Sequence, residues 1–173
     1  MPINFPNTSI STTSVDSQNR LTFNGYFRSD NATVPAFLVQ NDINADLTTG
    51  NSRPVTWNQV VYNDGGWDAS GQQLYTAPRA GMYFFYVWMM DDNQVNENDY
   101  YTIRRNNSNS AWTGVLRVYS TGNSNHHHQW PGGTIFNMSQ GDNVRVYIDR
   151  TDRGFYGNDH HYTMFSGCYL GRS

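Results

Sequence analysis

The sequence predicts an all-β fold, and three observations carry that expectation. Runs rich in Val, Ile, Tyr, Phe and Trp recur about every ten residues from Val34 onward, with Gly, Asn and Asp clusters between them. Lysine is absent and Glu97 is the only glutamate, so two strong surface helix formers are almost missing. No segment carries the apolar period of an amphipathic helix between the runs. Short strands at this spacing suit a sandwich or barrel. A chain of 173 residues holds one domain with a substantial core and is too short for two comfortable ones.

Residues 1–33 are polar and rich in Ser, Thr and Asn, with isolated apolar points at Phe5, Leu21, Phe23, Tyr26 and Phe27. They read as an N-terminal arm, an attachment segment that gains order by lying on something else. Leu21-Thr22-Phe23 alternates as one short strand. The domain proper is expected over 34–173. Its strands are expected at Val34–Val39, Val55–Tyr62, Met82–Met90, Tyr100–Arg104, Gly114–Tyr119, Thr134–Met138, Val144–Asp149 and Tyr162–Leu170. Asn63-Asp64-Gly65-Gly66 is a turn with two glycines available for positive φ, and Gln140-Gly141-Asp142 is a tight connection.

The run Met82–Met90 carries the most information. In a strand Tyr83, Phe85, Val87 and Met89 share one face, while Phe84, Tyr86, Trp88 and Met90 share the other. An antiparallel sandwich strand normally keeps one wet face. Here both are apolar, so one serves the sandwich core and the other needs a different cover. Symmetric self-association is the commonest cover.

Composition also excludes classes. Net charge is −3 and the eleven arginines are scattered, so no nucleic-acid footprint is present. Arg104-Arg105, the only adjacent pair, reads as a solvent-facing strand edge. Cys168 stands alone, which forbids an intrachain disulfide and fits an inert thiol. No basic segment followed by an apolar one opens the chain, so neither a secretory signal nor membrane insertion is expected. The sequons at Asn7, Asn31 and Asn137 then read as chance in an Asn-rich chain. Gly-x-Ser-x-Gly, a phosphate-binding glycine loop and His-Glu-x-x-His are all missing, and one glutamate leaves no Glu pair for glycoside hydrolysis. The chain is not expected to be an enzyme.

Several segments are recognisable in order. Trp57-Asn58-Gln59-Val60-Val61-Tyr62-Asn63, then Tyr75-Thr76-Ala77-Pro78 and Gly81-Met82-Tyr83-Phe84-Phe85, resemble the C1q signature of aromatic, Asn, aromatic and Gly-x-Tyr-x-Phe. Val34-Pro35-Ala36-Phe37 resembles that domain's opening strand, and Met138-Ser139-Gln140-Gly141-Asp142-Asn143-Val144 its Gly-Asp turn. Phe165-Ser166-Gly167-Cys168-Tyr169-Leu170 resembles its closing strand. The resemblance spans residues 34–171. Trp57 and Tyr75 stand where Phe is usual, Val87 replaces an aromatic, and Asp68 takes an apolar place with Trp67 one residue early, so a bulge or insertion is expected there.

The resemblance implies a ten-stranded jelly-roll sandwich of C1q/TNF-like type that forms compact homotrimers. It implies sandwich-core roles for Phe37, Trp57, Tyr75, Tyr83, Phe85 and Val87. It implies trimer-interface roles for Phe84, Tyr86 and Trp88, joined by Phe165 and Tyr169 from the last strand and by Trp130.

A weaker chemical signal lies in the histidines. His126, His128, Asp91 and His160 would collect at one end of a sheet under this topology and form a transition-metal site. Asp149, Asp152 and Asp159 offer oxygens for calcium without any EF-hand pattern. Exposed loop histidines and no cofactor remain the simpler expectation.

The function expected is a non-enzymatic trimeric module on a virion surface, a phage head decoration or tail-fibre component for host attachment. Residues 1–33 would join it to a capsid or tail protein, and its loops would meet a host-surface glycan or protein. The opening Met-Pro-Ile-Asn-Phe-Pro resembles the start of some cyanophage structural proteins. The alternatives are a secreted, extracellular lectin-like recognition protein and a metal-binding protein.

Overall fold

The computed structural model describes residues 13–15, 21–23, 34–41, 53–71, 73–90, 100–107, 111–119, 128–149 and 163–172. The chain divides into two units, Met1–Val34 and Pro35–Ser173. In the first, β1 (Thr13–Val15) pairs antiparallel with β2 (Leu21–Phe23), so the Leu-Thr-Phe alternation does form a strand.

Among its described residues the second unit holds ten strands. They are β3 (Ala36–Asn41), β4 (Arg53–Pro54), β5 (Gln59–Asn63), β6 (Tyr75–Thr76), β7 (Gly81–Met90), β8 (Tyr100–Asn106), β9 (Thr113–Tyr119), β10 (Gln129–Met138), β11 (Asn143–Asp149) and β12 (Thr163–Gly171). One sheet runs β10-β7-β12-β3-β5. The other runs β4-β11-β8-β9, with β6 also on β11. Every pairing is antiparallel, and the first and last strands of the unit, β3 and β12, lie side by side. This is the all-β jelly-roll sandwich that the sequence predicts.

Aromatic packing joins the two sheets. Phe37 is the hub, with ring centroids 5.1 Å from Trp67, 4.8 Å from Tyr75 and 4.9 Å from Phe165. Tyr83, Phe85, Val87 and Met89 of β7 are all fully buried, opposite Tyr101 and Ile103 of β8 and Val144 and Val146 of β11. So many rings fit only because Gly167 has no side chain. A Cβ there would lie 2.6 Å from the Phe85 ring and 2.7 Å from that of Phe37. Burial pushes the phenols of Tyr75, Tyr83 and Tyr101 above their ordinary value of 10.0, because water no longer stabilises a tyrosinate there.

Two polar devices fix the turns. The Asn63 carbonyl oxygen accepts from the amides of Gly65 and Trp67 at 3.2 and 3.3 Å, while its NH2 donates to the Trp67 carbonyl at 3.2 Å. Gly65 and Gly66 take φ of 97° and 98°, which a side chain would resist. Trp67 thereby enters the core and bridges Tyr75, while Asp68 stays at the surface and accepts from Ser70. The irregularity expected at this pair is an isolated bridge followed by a turn. In the second device the buried Asp142 carboxylate accepts from the Ser139 amide at 2.9 Å and pairs with Arg105 at 3.1 Å.

That ion pair corrects the reading of Arg104-Arg105. β8 lies inside its sheet between β11 and β9, so it is no edge. Arg105 is tied to Asp142 and donates to the Asn137 carbonyl at 2.9 Å. Only Arg104 lies on the outward face.

Strand limits shift by two residues in the first strand, found at Ala36–Asn41 rather than Val34–Val39, and by more in two others. Of Val55–Tyr62 only Gln59 onward is strand, while Val55 and Trp57 are buried without joining a ladder. β10 begins at Gln129 rather than Thr134 and takes in Trp130-Pro131-Gly132-Gly133. Proline lacks the amide a central strand needs, but β10 is an edge strand and tolerates it.

Candidate self-association face

The outward face of the first sheet is built around β7. Along Gly81–Met90 burial alternates without a break, so Met82, Phe84, Tyr86, Trp88 and Met90 point away from the core and are each half-buried. In an antiparallel pair, directly opposed residues share a face. The register with β10 and β12 therefore gives three outward rows. Ile135, Phe84 and Cys168 form one, Gly133, Tyr86 and Ser166 the next, and Pro131, Trp88 and Met164 the third. Beyond β12, β3 adds Ala36, Leu38 and Gln40.

The relief of this face follows from residue size. Phe84 and Tyr86 stack at 6.3 Å between centroids and 23° between planes, and with Trp88 they form a ridge. Gly133, Ser166, Cys168 and Ala36 leave low ground beside it. A Cβ on Gly133 would already touch the Tyr86 and Phe84 rings at 3.0 and 3.1 Å. Ile135 and Tyr62 stand 55% and 51% exposed at the flanks, which leaves large apolar groups in water on an isolated chain. No charged residue occurs among these outward positions of β3, β7, β10 and β12. The polar groups on β3 and β5 are neutral amides, with Gln40 donating to Gln59. Depletion of charge together with large rings marks the centre of a protein interface.

The family model for the C1q domain matches residues 36–170. The chain belongs to the C1q domain family. Solved structures with the same fold include murine APRIL (17% identity, 80% of this chain and 100% of that chain, TM-score 0.63). The globular domain of zebrafish complement 1qA matches at 16% identity over 80% of this chain and 99% of its own, TM-score 0.61. Eiger TNF from S. frugiperda matches at 13% identity over 82% and 96%, TM-score 0.61. No curated protein matches the chain.

Within this C1q domain the six residues assigned to the core, Phe37, Trp57, Tyr75, Tyr83, Phe85 and Val87, are buried at 3% exposure or less. Phe84, Tyr86 and Trp88 lie on the outward ridge. The other three interface residues require correction. Phe165 opposes Val87 and Trp130 opposes Met89, both inward positions, so each ring is buried in the core. Tyr169 opposes Tyr83, also inward, and packs edge-on against it at 5.2 Å, with the Arg79 guanidinium 5.2 Å over its ring. The outward residues of β12 are instead Met164, Ser166 and Cys168. Sequence reasoning missed them because β12 carries apolar side chains in both parities.

The metal expectation falls mostly elsewhere. His126, Asp91 and His160 lie outside the described residues, as do Asp152 and Asp159. His128 is half-buried just before β10. Among the described residues no three His, Cys, Asp or Glu side chains converge on one point. No helix of the described residues is long and apolar enough to cross a membrane.

Proposed function

We propose that this chain is a non-enzymatic binding module that works as a homotrimer, its subunits meeting through the β7 ridge. The observation that carries this reading is an uncharged sheet face with three large half-buried rings in a row. Covering what remains exposed of each half-buried ring is worth about 1–2 kcal/mol per ring. A closed three-fold arrangement covers all three copies of the ridge at once, and the resemblance to C1q-like trimers favours that symmetry over a dimer. Sedimentation equilibrium of the full chain tests it. A trimer is expected at micromolar concentration, and a monomer there would overturn the reading.

The setting we propose is a virion surface, with the trimer as a head decoration or tail-fibre component and residues 1–33 as its attachment arm. The Ser, Thr and Asn content of the arm and the likeness of its first six residues to the start of some cyanophage structural proteins support this. Immunogold microscopy of virions decides it. Label on heads or tails is expected, and protein lacking residues 1–30 should remain trimeric but leave virions unlabelled. Free trimer in the medium with bare virions would instead mean a secreted recognition protein.

A further inference from the structure

We draw no further inference here: the strongest candidate, the outer edge of β5, where Val60, Val61 and Tyr62 stand 41%, 50% and 51% exposed on a strand that pairs only with β3 among the described residues, carries nothing because nothing in the structure shows what covers it.

Discussion

Trp88→Asp is the sharpest perturbation of the proposed interface. Trp88 sits outward on β7 between Pro131 and Met164, while its chain neighbours Val87 and Met89 are fully buried on the other side. The substitution therefore alters the outward face and leaves the core intact. A tryptophan carries up to about 250 Å² of buriable surface, and Trp88, half-buried in the subunit, keeps at most about 90 Å² for a partner to cover. At about 25 cal/mol per Å² that is at most about 2 kcal/mol per subunit. Three copies give at most about 6 kcal/mol, roughly four orders of magnitude in the trimer association constant. A carboxylate forced into the interface adds several kcal/mol more per ion. Sedimentation velocity should show a monomer, with the fold's own stability lowered by about 1–3 kcal/mol because much of the ring is already covered within the subunit. Cys168 gives an independent readout. It shares the face with Phe84, so alkylation should be slow in the wild type and fast in the variant. Trp88→Ala covers the chance that the aspartate variant fails to fold, and should weaken the trimer by the burial contribution alone. A normal trimer with a protected thiol in both variants would refute the assignment of this face.

Three further outcomes follow from the core and its turns. Gly167→Ala places a Cβ 2.6 Å from the Phe85 ring and should lower unfolding free energy by about 2–3 kcal/mol in urea titration; an unchanged midpoint would mean the aromatic packing yields freely. Asp142→Ala removes the partner of Arg105 and the acceptor for the Ser139 amide, costing about 2 kcal/mol, less than a fully buried pair because Arg105 is 28% exposed. A loss below about 0.5 kcal/mol in the same titration would show that the turn holds without it. Stability should fall as pH rises above 10.0, the ordinary tyrosine value, because the unfolded chain ionises Tyr75 and Tyr101 there while the folded chain keeps them neutral. Each of the two contributes a loss of about 1.4 kcal/mol per pH unit until its raised folded value is reached. Thermal melts with tyrosinate absorbance check this, and ionisation of all tyrosines near 10.0 in folded protein would contradict it.

What the sequence made legible follows from how strictly each strand alternates. β7 could be read in full because both faces are large and apolar, so whichever face was core, the other had to be explained. The six core positions could be read because the C1q segments carry them in order. β12 defeated the same reasoning. Met164, Phe165, Cys168 and Tyr169 put apolar side chains in both parities, and only pairing to β7 decides which face each takes. Trp130 failed for a different reason. Pro131-Gly132-Gly133 looks like a turn, which hid the first half of β10 and with it the register that turns Trp130 inward. An edge position, invisible in the sequence, is what lets that proline remain in a strand.

The two outward faces follow from the same residue economy. Each strand alternates, so a core filled by inward rings leaves the outward positions of both sheets to be chosen independently. On the first sheet they are apolar, neutral and graded in size, which suits burial against identical surfaces where any charge would meet its own copy. On the second they set arginine against aromatics across β8, β9 and β11, so that each guanidinium rests on a ring of its own sheet. Neither face constrains the other through the core, because Phe37, Phe85 and Tyr101 between them are buried whichever way the surfaces are substituted. Changes that abolish trimer formation by altering the first face should therefore leave the inward packing of a single subunit in place, read as an unchanged near-ultraviolet circular dichroism signal from the buried rings.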